Sequence, residues 1–131
     1  MESSIVSASV PSIFASTDDF QALSALSKTL QGAAAPGPSL LTAEVSRLSV
    51  VDPEGRAPFV RLGSRVTYCD RQRRRVRTAR IVMPGTSSIH EHCVSITTPI
   101  GAALLGLTVG DVFSWWTTGG SRSVEVLDIG K

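Results

Sequence analysis

The residues best suited to chemistry in this chain are His90-Glu91-His92-Cys93, the run Arg71-Gln72-Arg73-Arg74-Arg75, and the acids Asp18 and Asp19. His90 and His92 share one face if their segment is extended, as a metal pair requires. Cys93 is at hand, but Cys69 would have to arrive from another strand, and two solvated histidines beside a strand start is the plainer reading. Arg71, Arg73, Arg74 and Arg75 could grip phosphates or an acidic protein surface, because the guanidinium fork matches both. The same residues sit where a solvated hairpin tip belongs, and without interleaved aromatics they make no platform for stacking a single strand. Ser64, Ser95, the histidines and the acids form no triad: there is no nucleophile elbow, phosphate loop or zincin helix. No enzyme, cofactor or small-molecule substrate is indicated.

Composition sets the frame for these groups. The 131 residues are 42% hydrophobic and 18% charged, which suits one globular domain with at most a small appendage. A net charge of +2 is too small to argue for nucleic-acid binding, but its distribution is uneven. Eight arginines lie between Arg61 and Arg80, against the single acid Asp70. No apolar run approaches the roughly 20 residues that span a bilayer. The N-terminus carries Glu2 and no basic stretch, so it is a poor secretory signal. Cys69 and Cys93 make no disulfide framework, and a cytoplasmic protein without a membrane partner is expected.

The elements that must position these residues fall in two groups. Residues 1–15, Ser/Ala-rich with Pro11, read as a flexible tail. A helix follows, capped by Ser16 or Thr17, with Asp18 and Asp19 at its positive end and Phe20, Leu23, Leu26 and Leu30 near one face. Pro36 and Pro38 break the chain, and Leu41, Val45 and Leu48 mark a second helix. Residues 16–52 are therefore expected as a short antiparallel helical hairpin, and residues 53–131 as a separate β-rich domain. Strands are expected in VRLGSRVTYCD, RRRVRTARIVMPG, CVSIT, VFSWWTT and SVEVLDI, with DRQRR and Gly119-Gly120 as turns. Trp115 and Trp116 then point to opposite faces, one into the core and one outward.

Between the third and fourth strands lies TTPIGAALLGLTVGD. Thr98 is suited to the N-cap and Pro99 to the first helical position, while Gly106 is the expected left-handed residue just past the end. About two turns of nearly all-apolar helix result, too short to persist without packing, so its body is core.

Residues 95–129 resemble the C-terminal domain of the Gre transcript-cleavage factors. The resemblance rests on Ser95-Ile96, Thr98-Pro99-Ile100-Gly101, Ala103-Leu104-Leu105-Gly106, Val109-Gly110-Asp111, Gly119-Gly120 and Leu127-Asp128-Ile129, with GSRVTY at 63–68 matching the first strand. It implies an α+β fold: the helical hairpin followed by an FKBP-like antiparallel sheet around one short helix. In Gre factors a long coiled coil carries acids at its tip into the secondary channel of RNA polymerase. Here the turn QGAAAPGPS holds no carboxylate, and the short hairpin resembles the regulator of nucleoside diphosphate kinase (Rnk) family, which binds polymerase without the cleavage-promoting acids. The implied role is a non-catalytic regulator of elongation that competes with Gre-type factors. Carried over by position, Thr97, Thr98, Pro99 and Ile100 fall on the polymerase-docking surface, with Ile100 as a displayed apolar knob. Two alternatives remain open: a proline isomerase, for which a chain only 5% aromatic offers poor material, and direct DNA or RNA binding through the arginine cluster.

Overall fold

The computed structural model describes residues 11–85 and 92–130. The order of elements is β1 (Phe14–Ala15), α1 (Thr17–Thr29), α2 (Pro36–Val45), β2 (Ser49–Val50), β3 (Arg65–Asp70), β4 (Arg75–Val82), β5 (Cys93–Ser95), α3 (Pro99–Leu104), β6 (Val112–Thr117) and β7 (Gly120–Gly130).

The local rules account for most of these boundaries. Ser16 caps α1 by accepting the Asp19 N–H at 3.2 Å, with Asp18 and Asp19 in the first turn. The second helix starts earlier than the prolines suggest. Pro36 and Pro38 both lie within the first turn, where an amide hydrogen has no intrahelical acceptor and its loss costs nothing. The tail expected to run through residue 15 also stops short. Ile13 and Ala15 are buried, and β1 pairs in parallel with β2, bringing the start of α1 and the end of α2 together.

The main sheet has the order β5-β4-β3-β7-β6. Its β3–β4, β3–β7 and β6–β7 ladders are antiparallel, but β4 and β5 run parallel, so the expectation of a wholly antiparallel sheet is corrected at that edge. Ten residues separate Val82 from Cys93, too many for the tight hairpin that would impose an antiparallel neighbour. Val66 and Tyr68, Ala79 and Ile81, Phe113 and Trp115, Val124 and Val126 alternate inward along their strands. Against this face lies α3, with α2 packed on α3 and α1 on α2. Residues 101–107 of the short helix and its exit are all buried. The opposite sheet face is solvent-lined, with Val76 62% and Trp116 82% exposed.

Gly106 is where these layers meet. Its φ of +80° turns the chain out of α3, its carbonyl accepts the Phe14 N–H at 3.1 Å, and its N–H donates to the Val60 carbonyl at 3.0 Å. A Cβ there would stand 2.8 Å from the Ile13 Cβ and 2.9 Å from the Phe14 backbone.

Candidate functional site

The Thr97–Ile100 segment is built by a hydrogen-bonded turn off the end of β5. The Ile96 N–H is held by the Val82 carbonyl at 3.0 Å, which continues the parallel ladder one residue past the strand. The Ser95 carbonyl accepts the Thr98 N–H at 3.0 Å and the Thr98 hydroxyl at 2.6 Å. The Ser95 hydroxyl accepts the Thr97 N–H at 3.1 Å and shares a 2.8 Å hydrogen bond with the Thr97 hydroxyl. Thr98 then caps α3 by accepting the Gly101 N–H at 3.2 Å, and Pro99 occupies the first turn. A Cβ on Gly101 would overlap the Ser95 carbonyl oxygen, so the glycine is required by close approach. The hydroxyls of Ser95, Thr97 and Thr98 thus fix this edge by hydrogen bonds made within it.

Thr98 is exposed, while Thr97 and Pro99 are half-buried. Ile100 differs from the displayed knob expected of it: it is half-buried and packed on the core. It lies two residues past the Thr98 cap, in the first turn of α3, directly before the buried run 101–104.

A second element reaches this edge that the sequence left in a loop. Gly37, in the first turn of α2, is buried, and a Cβ there would overlap the Thr97 carbonyl oxygen and stand 3.0 Å from the Thr98 Cα. Backbone meets backbone here, and the Pro36-Gly37-Pro38 triplet was the available signal: a glycine between two prolines inside a helix start asks for a packing reason.

The arginine cluster lies elsewhere. Asp70, at the end of β3, is buried, and its Oδ1 accepts the Gln72 and Arg73 N–H groups at 3.2 and 3.4 Å. Its Oδ2 accepts from Arg122 at 3.0 Å. Arg74 takes a φ of +55° to close the turn. Residues 71–78 are all exposed, including Arg71, Arg73, Arg74 and Arg75. β4 runs from Arg75 at this tip to Val82 beside Ser95, seven steps and about 23 Å. The two candidate surfaces therefore sit at opposite ends of the sheet.

Burial pushes the Tyr68 phenol above its usual 10.0; Arg77 and Arg122 pull it down and Asp70 pushes it up, and the net shift is upward. Cys69 sits opposite Val76 and Cys93 opposite Arg80, four positions further along β4, so the pair does not converge. His90 lies outside the described residues, and His92 is exposed. Among the described residues no three of His, Cys, Asp and Glu come together as a metal would need. No helix of the described residues is long and apolar enough to cross a membrane.

All the carboxylates of the helical layer lie away from the turn between α1 and α2, whose residues 30–35 hold none. Asp19 accepts the Leu62 N–H at 3.1 Å and lies 3.9 Å from Arg61, while buried Glu44 pairs with Arg47 at 2.8 Å. The family model for the C-terminal domain of the transcription elongation factors GreA and GreB matches residues 55–131. The chain belongs to that family. Its likeness extends through the helices to the Rnk branch: it is 32% identical over 121 residues to the regulator of nucleoside diphosphate kinase of Escherichia coli K12, covering 91% of this chain and 89% of that protein. GreA of Ruegeria pomeroyi is 33% identical, but over 65% of this chain and 54% of its own length. Among solved structures, a GreA/GreB elongation factor from Nitrosomonas europaea superposes with a TM-score of 0.68 at 33% identity, covering 91% of this chain and 99% of that one. The Gre-like relatives carry the names of regulators and transcription factors.

Proposed function

We propose that this Gre-like protein is a non-catalytic regulator of transcription elongation that docks on RNA polymerase near its secondary channel and competes there with Gre-type factors. The observation that carries the reading is a division within the chain. The C-terminal unit has the family's fold and the [Ser/Thr]-Pro-Ile-Gly edge, while the turn between α1 and α2 has no carboxylate to offer a catalytic metal. Asp19 is engaged with the Leu62 amide and Glu44 with Arg47. The contacts are assigned to Thr97, Thr98, Pro99 and Ile100, where a turn locked by Ser95 presents a fixed edge and lowers the ordering cost of binding. Proline-isomerase chemistry has little support: the open cavity of about 610 Å³ beside Leu62 and Ile129 has Phe59 as its one aromatic ring.

Stalled elongation complexes provide the test. Added alone, the protein yields no transcript cleavage; added in excess before GreA, it suppresses GreA-stimulated cleavage. Cleavage by the protein alone sinks the non-catalytic reading, and undiminished GreA activity sinks the competition. Retention on core polymerase is lost in Pro99→Ala/Ile100→Asp, scored in protein whose circular dichroism spectrum is native. Full retention by that folded variant removes the docking edge from the proposal.

A further inference from the structure

The end of the sheet farthest from the Thr97–Ile100 edge carries a second constellation that sequence spacing hid. The β3–β4 turn and the β6–β7 turn emerge at the same end: Asp70 pairs with Val124, the Arg71 N–H donates to the Ser123 carbonyl at 3.0 Å, and Trp116 lies opposite Ser121. With strands about 4.8 Å apart, the ring on β6 is roughly 10–15 Å from the arginine tip between β3 and β4. An aromatic thus stands beside the basic run, although it lies some forty residues away in the chain.

We infer that these two hairpins form a binding site for single-stranded nucleic acid, with a base stacked on Trp116 and the adjoining phosphates held by the turn arginines Arg71, Arg73 and Arg74; Arg75, in register with buried Asp70, lies on the other face of the sheet from the ring. The charge is available. Arg71, Arg73 and Arg74 are exposed and make no ion pair among the described residues, whereas Asp70, the acid at the turn, is buried and already shared with Arg122 and two backbone amides. The turn is also preorganised, since those amides and the left-handed Arg74 set its shape before any ligand arrives. The ring favours a base over an acidic protein surface. Trp116 is 82% exposed, and its neighbours are Ser114, Thr117, Thr118, Ser121 and two glycines, with no apolar rim to exclude water as a protein hot spot requires. A lone exposed indole among small polar residues offers a free π-face, and every base can use one. A duplex keeps its bases stacked inside and has no use for the ring.

The site needs neither polymerase nor the Thr97–Ile100 edge, so it is tested on the free full chain. A fluorescein-labelled oligouridylate is titrated by anisotropy between about 50 and about 200 mM salt. Binding is expected to weaken with salt at a log–log slope of about −0.7 per phosphate held. Trp116→Ala weakens binding about tenfold at unchanged slope, and Arg71→Ala/Arg73→Ala flattens the slope. The thermal midpoint of Trp116→Ala stays at the parent value, so lost binding is not lost folding. Absence of binding at low salt, or a Trp116→Ala variant that binds as the parent does, overturns the inference. Equal affinity for a duplex of the same length overturns its single-strand part. Tighter binding of a poly-glutamate peptide than of the oligonucleotide reassigns the arginines to an acidic protein.

Discussion

Gly106 shows how much one residue without a side chain can settle. It combines a left-handed φ with a gap of under 3 Å to Ile13 and Phe14, so an alanine is strained twice over, in the backbone and against its neighbours. Gly106→Ala is expected to cost about 2–4 kcal/mol, read as a lower urea midpoint at unchanged slope. Tyr68 gives a residue-scale prediction in pH. Its folded value lies above 10.0, so the neutral phenol is the form the fold prefers. The stability it contributes is complete below about pH 10 and is lost as the pH rises through the folded value. The urea midpoint of the parent should fall across that alkaline window more steeply than that of Tyr68→Phe. Because Tyr68 is the single tyrosine, phenolate absorbance reports it directly and should appear at higher pH in the native than in the denatured chain.

Among the elements, α3 depends most on its surroundings. Six residues long, it would not persist in water, yet Ala102, Ala103 and Leu104 are all buried beneath α2 and on the sheet. Leu104→Ala is expected to cost about 2–5 kcal/mol in denaturation. Leu127, the extra residue where the β3–β7 register shifts and 40% exposed, should cost under about 1 kcal/mol when cut to alanine. The caps and strands were legible because their determinants are local: Ser16, Thr98, Pro99 and Gly106 act within a few residues, and the alternation through Val66 and Tyr68 is a property of one strand. Pairing is not local. Nothing within residues 11–15 announces that Ile13 is core, since that follows from β2, Gly106 and the Arg47 bond to the Pro11 carbonyl. Pro36 and Pro38 misled because proline forbids a helix interior but suits its first turn. The parallel β4–β5 pair depends on the path between them, and the placement of Trp116 at the same sheet end as the arginine tip depends on the order of four strands.

For the whole molecule, the helical layer and the sheet share one core. Leu23 and Leu41 join Val66, Ile81 and Leu104 in a continuous cluster, and Asp19 bonds the Leu62 amide across the division expected near residue 52. Unfolding should therefore be a single cooperative transition, coincident by circular dichroism and by tryptophan fluorescence, and residues 53–131 expressed alone should lose it. Separate transitions for helices and sheet would contradict a shared core. The contact of Gly37 with Thr97 makes the helix a ruler for the edge. Where two backbones touch with no side chain between them, the spacing can only increase, and each atom added at Gly37 acts as a shim. A series from Gly37→Ala to Gly37→Val would push Thr97 and Thr98 outward in steps. Polymerase retention should decline in the same order, so a helix that touches no partner would set the fit of the one that does.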